Sequence, residues 1–286
     1  MIEIRACRGF DELQACVELE VETWGYDPTD LVPKKTFLLA QKVGGQVIGA
    51  FEQGSGVRGQ GSGNREQGSE DREQGNTGTG EREAAETAAR LVGFAMALPG
   101  IKKTSAGPKP YLHSHMLAVK EGYRNRGLGV RLKLEQRREA LSRDIRHMEW
   151  TFDPLEIKNA YLNIHRLGAV AREYRADFYG VSSSRLQGGL PTDRLLAEWE
   201  LDSDRVRAIL DPLPAVACDI EERIQVPASI YHWKTADGDR HRALAVQLEN
   251  RGRFQKAFQK GLAVVGYSLD AEGNGVFELG RIEGDA

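Results

Sequence analysis

One arginine and two glycines in a short turn are the first residues whose types and spacing indicate a chemical role. The segment MLAVKEGYRNRGLGVRLKLEQRREA, residues 116–140, contains an apolar run, then Arg124-x-x-Gly127-x-Gly129, then a cationic helical pattern. A helix begins with unpaired amide N–H groups and a partial positive charge, and glycine lets an anion approach the main chain closely. The order strand, glycine turn, helix therefore predicts an anion cradle suited to phosphate.

Two well-known phosphate cradles do not fit this turn. A P-loop needs a lysine and a hydroxyl residue after its second glycine, where this chain has Leu128 and Gly129. The dinucleotide fingerprint G-x-G-x-x-G needs a third glycine where Leu132 stands. The pattern that remains is R-x-x-G-x-G between a strand and a helix.

The elements that must position this turn follow from the spacing of apolar residues. Alternating or continuous apolar runs predict strands, and apolar residues at helical spacing predict amphipathic helices. The predicted strands are 2–7, 46–52, 90–100, 111–119, 146–152, 169–174 and 194–201, and the predicted helices are 10–24, 34–43, 127–142 and 156–168. Helices before the second strand, followed by successive strands, favour a mixed sheet over a doubly wound one.

In this context R-x-x-G-x-G resembles the pyrophosphate-binding signature [QR]-x-x-G-x-[GA] of the GNAT acyltransferase superfamily. The order of strands and helices from residue 2 to residue 201 is also similar to that of the family. More narrowly, SHMLAV, RNRGLG, WTFDPL, NAYLNIHRLGA and LPTDR resemble a little-characterised GNAT subgroup with a C-terminal extension. The fold class implied is α+β, a mixed and mostly antiparallel sheet flanked by helices, plus a small C-terminal α+β appendage.

The expected domain organisation has three parts. Residues 1–201 form the GNAT domain, 202–226 contain a linker, and 227–286 form an appendage with a helix at 240–261 and a hairpin. Within the first part, Gln-Gly recurs every seven residues from residue 53, without the apolar positions that a coiled coil requires. The composition of 53–89 predicts a disordered insertion, because it cannot bury enough apolar surface to fold.

The resemblance implies that an acyl-CoA, with acetyl-CoA first among them, is the co-substrate. The strands at 111–119 and 146–152 would part, and the pantetheine arm would pair with the main chain between them as an additional strand. Asn159 matches the family's asparagine beside this arm, although a helix cap is the alternative. The implied cofactor-binding residues are Leu117, Ala118, Val119, Arg124, Asn125, Arg126, Gly127, Leu128, Gly129, Val130 and Asn159.

The candidate catalytic residues are His113, His115 and Tyr161. The two histidines are two residues apart, so on a regular strand they share a face, and imidazole has a pKa suited to taking a proton from an amine. Packing without catalysis is the alternative, and a metal site is not expected because no third ligand is evident. Glu149, on the facing strand, is a further candidate base or a structural residue.

At the position of the acid that would assist the leaving thiolate, this sequence departs from the family pattern. Many GNAT members have a tyrosine four residues before the glycine that ends the asparagine-led helix, and this chain has Ile164 there. Tyr161 and Asn163 are nearby and neither is a direct match. The thiolate therefore either leaves with the help of water, or the fold serves a function without catalysis.

Two further segments have a functional and an ordinary interpretation. ETWGYDP, residues 22–28, clusters aromatic and acidic side chains where related enzymes shape the acceptor site, and a packed Trp24 is the alternative. Arg131, Lys133, Arg137 and Arg138 could attract the 3′-phosphate of coenzyme A or could form a solvated helix face.

The composition limits the remaining function classes. A net charge of −3 over 286 residues gives no reason to expect nucleic acid or membrane partners, and three dispersed cysteines fit a cytoplasmic compartment. The expected function is transfer of an acyl group to the amine of a small molecule or amino acid. A succinyl-CoA-dependent variant and a non-catalytic acyl-CoA sensor are the alternatives. The edges of the C-terminal hairpin also make a homodimer a candidate assembly.

Overall fold

A single sheet of ten strands forms the centre of the computed structural model, which describes residues 1–53, 89–105, 107–211, 218–236 and 238–282. The predicted insertion at 53–89 lies almost wholly outside these residues. The strands are β1 (Ile2–Ala6), β2 (Gln46–Glu52), β3 (Arg90–Thr104), β4 (Gly107–Val119), β5 (His147–Phe152), β6 (Val170–Arg175), β7 (Arg194–Glu200), β8 (Ile220–Val226), β9 (Ala263–Leu269) and β10 (Gly275–Gly280).

The strand order is β1-β2-β3-β4-β5-β7-β6-β9-β10-β8. Only β4 and β5 run parallel among the pairings of the described strands; the others are antiparallel. This confirms the predicted mixed, mostly antiparallel α+β fold.

Helices cover both faces of the sheet. They are α1 (Gly9–Trp24), α2 (Lys34–Lys42), α3 (Leu128–Ser142), α4 (Ile157–Ala160), α5 (Asp204–Leu210), α6 (Ile230–Thr235) and α7 (Arg240–Gln259). Alternate residues of β3 face opposite sides, so Phe94 and Met96 join the cluster under α1 and α2, whereas Ala95 joins the cluster with Leu128 and Leu132 of α3. Among the described residues, no helix is long and apolar enough to cross a membrane.

The hairpin formed by β3 and β4 is longer than the sequence predicts. The apparent turn at Pro99 and Gly100 lies inside β3, which pairs with β4 as far as Thr104 opposite Gly107. The last residue of β3 that pairs with β2 is Ala97. Pro99 therefore lies where β3 has β4 as its one neighbour, and a missing N–H is tolerated there.

The C-terminal strands continue the sheet of the N-terminal part. Ala171 of β6 pairs with Val264 of β9, and β9 and β10 form the predicted hairpin. The segment 202–226, where the composition predicts a linker, contains α5 and β8. The edges of the hairpin are taken by β6 and β8. The division into domain, linker and appendage stays a prediction, as does a homodimer.

Two groups of ion pairs around buried residues attach the C-terminal helices to the rest of the fold. Arg251 of α7 donates two hydrogen bonds, of 2.9 and 2.8 Å, to the fully buried carboxylate of Asp193, which also accepts one of 2.6 Å from the Tyr174 hydroxyl. Lys234 of α6 lies 3.1 Å from Asp153 and 2.6 Å from Glu156. These contacts hold the C-terminal part because each buried carboxylate would otherwise lack its counter-charge.

Replacing Arg251 by methionine tests this attachment. We expect R251M to lower the free energy of unfolding by about 3 kcal/mol, because Asp193 would remain buried without its counter-charge. Urea unfolding followed by circular dichroism measures the change, and K256M, at an exposed position on the same helix, is the matched control. Equal stability of R251M and K256M would contradict the structural role of the Asp193–Arg251 pair.

Candidate active site

A cleft of about 700 Å³ opens where β4 and β5 separate. The two parallel strands pair at Leu112 with Met148 and at His113 with Glu149, and at no later position. The remainder of β4 keeps its pairing with β3 and loses its neighbour on the other side. The main-chain donors and acceptors of residues 114–119 that point away from β3 therefore border the cleft without a strand partner among the described residues, as the resemblance implies.

A bulge in β4 lies at the point of separation. Met96 of β3 faces Met116, whereas the next residue, Ala97, faces Ser114, so His115 is the extra residue. Bulges bend a strand and redirect a side chain, and they are frequent next to active sites. The regular alternation that puts His113 and His115 on one face is interrupted here, although their ring centroids are only 6.4 Å apart.

The glycine turn forms the mouth of the cleft. Asn125 and Gly127 have positive φ angles of 59° and 72°, and Gly127 is the cap residue of α3. No side chain caps this helix, and its first main-chain bond runs from Arg131 N to Gly127 O at 3.1 Å. The amides of residues 128–130 thus remain available as donors. A Cβ at Gly127 would touch nothing within 4 Å, so the requirement for glycine there is conformational.

Most of the residues implied to bind the cofactor border this cleft. They are Leu117, Val119, Arg124, Asn125, Gly127, Leu128, Gly129, Val130 and Asn159. The side chain of Ala118 packs instead in the core under α1, and the Arg126 guanidinium lies 5.8 Å from the Tyr123 ring. Arg124 donates a hydrogen bond of 2.9 Å to Val119 O, which ties the turn to the end of β4. Their role in cofactor binding stays a prediction.

The helix after β5 is irregular beside the cleft. α4 has one turn and continues as a π-helix over Tyr161–Arg166, a form frequent at functional sites. Asn159 lies in the cleft lining and accepts a hydrogen bond of 3.2 Å from Asn163, while Glu156 occupies the cap position. Asn163 also lines the cleft. Tyr161 does not; its ring stacks on His165 at 4.4 Å. Ile164 is buried in the core.

The two predicted histidines have different surroundings. His115 lines the cleft, and desolvation, helped by the neighbouring His113, lowers its pKa below the usual value. His113 is not among the lining residues and lies 3.7 Å from Glu149. The neighbouring His113 and His147, with the Lys102 ammonium that donates a hydrogen bond of 3.1 Å, hold the pKa of Glu149 far below its usual range. Glu149 is therefore an ion-pair residue, the structural alternative of the prediction.

A buried carboxylate on α1 is a site residue that sequence reasoning missed. Glu20 is fully buried and lines the cleft; its Oε1 accepts a hydrogen bond of 3.0 Å from Val32 N, and its Oε2 has no partner among the described residues. Burial raises its pKa to about 7, against the opposing effect of the Val32 hydrogen bond. Its position four residues after the buried Cys16 was the available signal, since it continues the apolar stripe of α1.

A buried lysine on α3 is the second residue that the sequence did not reveal. Lys133, expected to attract a 3′-phosphate or to face solvent, is instead buried and lines the cleft. Two other basic residues of that prediction also bind the main chain of other elements: Arg131 donates a hydrogen bond to Ile2 O and Arg137 donates one to Leu201 O. The basic residues of α3 therefore do not form one solvated face.

Aromatic residues line the part of the cleft next to α1. Trp24 and Tyr26, from the predicted ETWGYDP segment, stack at a centroid distance of 5.8 Å, and both line the cleft. Arg194 of β7 lies on the same lining, with its guanidinium 5.3 Å from the Tyr179 ring. Among the residues that the structure describes, no cluster of three or more histidine, cysteine or acidic side chains could hold a metal ion.

Solved acetyltransferases are similar to this chain. The ribosomal-protein-S18-alanine N-acetyltransferase from Escherichia coli is 14% identical with a TM-score of 0.43, over 71% of this chain and 96% of that one. A GNAT family acetyltransferase from Elizabethkingia anophelis with acetyl-CoA bound is 14% identical with a TM-score of 0.40, over 70% and 97%. A Trypanosoma brucei acetyltransferase is 15% identical with a TM-score of 0.37, over 56% and 89%.

These are the proteins that the motif resemblance led us to expect. No family model and no curated protein matches the chain.

The burial of Glu20 makes the stability of the protein depend on pH. The carboxyl loses its proton near its usual pKa of 4.5 when unfolded and near 7 when folded, so the free energy of unfolding falls as pH rises between these values. We expect E20Q to remove this component and to be more stable than wild type above pH 7, by up to about 3 kcal/mol. The difference should vanish below pH 4.5.

Urea unfolding at pH 4 and pH 8 measures this effect. E18Q, an exposed position on the same helix, is the control and should match wild type at both values. A pH-independent difference between E20Q and wild type would show that Glu20 does not titrate as described.

Proposed function

We propose that the chain is an acyl-CoA-dependent N-acyltransferase of the GNAT type, which moves an acyl group, acetyl in the simplest case, to the amine of a small molecule or amino acid. The observation that carries the proposal is the unpaired edge of β4, with an uncapped helix N-terminus at one end of it. The combination matches the two chemical parts of coenzyme A, an amide-bearing arm and a diphosphate.

The described residues fit coenzyme A in four respects. The edge of β4 from 114 to 119 can pair with the amides of pantetheine, and the free amides of 128–130 can donate to phosphate oxygens. The glycine at 127 supplies the backbone conformation that starts the helix. A cleft of about 700 Å³ is within the range of small-molecule sites. The bound thioester would supply an activated acyl group.

The residues of the chain must then handle one proton. An acceptor amine is protonated at neutral pH and becomes a nucleophile after losing that proton. Glu20 and His115 both line the cleft. The pKa of Glu20 is about 7 and that of His115 is lowered, so Glu20 as a carboxylate, or His115 as a neutral imidazole, can accept a proton near neutral pH. We assign the base to Glu20, because its Oε2 is buried without a partner and an ammonium would supply one.

Assistance to the leaving thiolate falls to Asn163 or to water. Ile164, at the family's tyrosine position, has no hydroxyl, and Tyr161 stacks on His165 and is not among the residues that line the cleft. This favours the second candidate function, in which the chain binds an acyl-CoA and acts as a sensor without turnover. Binding with no transfer to any amine would support the sensor.

The Gly127 variants test the proposed cofactor site. We expect G127E to abolish thiol release from acetyl-CoA across a panel of amines, because a carboxylate would stand where the diphosphate binds. G127A is the matched control, since it adds only the cost of a positive φ, about 1 kcal/mol, and no charge. Thiol detection measures turnover and calorimetry measures coenzyme A binding. Unchanged binding in G127E would refute the proposed site.

The pH profile of the reaction tests the base. We expect kcat/KM of the wild type to rise with pH through about 7, the pKa of Glu20, as the carboxylate form becomes populated. E20Q should lower kcat/KM by about 100-fold or more and lose that rise. H115N is the comparison. If the rise disappears in H115N and persists in E20Q, the base is His115.

A further inference from the structure

We propose that Lys133 binds a carboxylate at the far end of the transferred acyl group, so that the preferred donor is a dicarboxylic acyl-CoA such as succinyl-CoA or glutaryl-CoA. This inference rests on the proposed function and adds the chemical class of its acyl substrate. It assigns to one side chain a selectivity that the glycine turn and the strand edge cannot provide, since these contact only the coenzyme.

The contacts of Lys133 leave part of its amino group without a partner. Its Nζ donates a hydrogen bond of 2.7 Å to Ser114 Oγ and lies 3.6 Å from the centroid of the Trp150 ring. Ser114 in turn donates a hydrogen bond of 3.0 Å to Gln136 Oε1. The hydroxyl is thereby oriented to accept from the lysine. Two of the three ammonium protons, when present, have no acceptor oxygen in this arrangement.

No carboxylate of a described residue compensates the Lys133 amine. Among the described residues no acidic side chain lies within 4.0 Å of Nζ, although Lys133 is 2% exposed. Desolvation lowers its pKa well below the usual value. Lys234 is also buried, but it has two carboxylate partners. Desolvation acts to lower its pKa, and the attraction of Asp153 and Glu156 outweighs that effect and raises it. A bound anion would therefore supply the counter-charge that Lys133 lacks in the free protein, and the protonated amine would in turn stabilise the anion.

The position of Lys133 relates it to the acyl group. Ser114 and Trp150, which both contact its amino group, directly follow His113 and Glu149, the last residues that pair across β4 and β5. Lys133 thus lies at the closed end of the cleft, whereas the glycine turn lies at its mouth. A thioester whose diphosphate binds at the turn and whose arm follows β4 directs its acyl group toward this closed end.

An acyl chain that ends in a carboxylate satisfies this environment better than acetyl does. Acetyl would leave the amine desolvated and without a counter-charge. A dicarboxylic chain would place an anion against the amino group and the Ser114 hydroxyl, and charge-assisted hydrogen bonds of this kind are stronger than neutral ones. The 3′-phosphate is on the nucleotide part of the coenzyme, so a diphosphate at the glycine turn would keep it away from the closed end.

Lys133→Met tests the assignment. Methionine keeps the length and flexibility of the side chain and removes the buried amine, so K133M should fold, with a melting temperature at neutral pH at or above that of wild type. K103M, which removes an exposed lysine, is the control for loss of a charge. With one acceptor amine held constant, kcat/KM is measured for acetyl-, propionyl-, malonyl-, succinyl- and glutaryl-CoA.

We expect wild type and K103M to prefer a dicarboxylic acyl-CoA over acetyl-CoA. K133M should reduce the ratio of the two kcat/KM values by roughly 30-fold or more, the effect of removing one partner from a buried charge pair. An unchanged ratio in K133M, or a wild type that prefers acetyl-CoA, overturns the inference and leaves the proposed function intact.

Two further measurements separate the remaining outcomes. With acetyl-CoA held constant, acceptor amines with and without a carboxylate are compared; if K133M changes that preference and not the acyl preference, the carboxylate belongs to the acceptor and the inference is wrong. If no acyl-CoA supports transfer, the proposed function fails, and calorimetry then decides on Lys133. Tighter binding of succinyl-CoA than acetyl-CoA, lost in K133M, supports its role; equal binding refutes it.

Discussion

The separation of β4 from β5 is the constraint on which the candidate site depends. Two paired positions hold the strands together, and the bulge at His115 bends β4 immediately afterwards. An interior strand edge with unpaired amides and carbonyls is costly unless water or a ligand satisfies it. β3 on one side of β4, and β7 on the far side of β5, keep the two strands in place while the gap between them stays open.

The charges of the protein separate into those that have a partner and those that do not. Asp193 with Arg251, and Asp153 and Glu156 with Lys234, are buried and paired, and they attach the C-terminal helices. In the part of the chain that the structure describes, Glu20 and Lys133 are buried without a counter-charge, and both line the cleft. Paired buried charges are explained by the fold, whereas unpaired ones need a ligand to explain them. Glu20 would serve the acceptor amine and Lys133 would serve an anion.

Local patterns in the sequence were sufficient to predict the frame of the site. The strand, the glycine turn and the start of α3 follow from alternation and from Gly127, because each depends on neighbouring residues. Pairings distant in sequence, such as β6 with β9, have no local signal. The bulge at His115 also depends on the partner strand.

The two unpaired charges show why site prediction stopped short. In a helical pattern, Glu20 and Lys133 look like ordinary solvated residues, since charged side chains are rarely fully buried. Only the packing of α1 and α3 against the sheet shows that each faces the cleft. In the helix after β5, Asn163 lies four residues after Asn159 and lines the cleft with it, whereas Tyr161, two residues after Asn159, does not.

Hydrogen–deuterium exchange in the presence and absence of coenzyme A tests the central claim most directly. If the coenzyme pairs with the open edge of β4 and its diphosphate binds at the start of α3, peptides covering residues 114–119 and 127–131 should exchange more slowly when it is bound. Peptides from α7, far along the sheet, should not change. Protection confined to other segments, or no protection at saturating coenzyme A, would contradict the account.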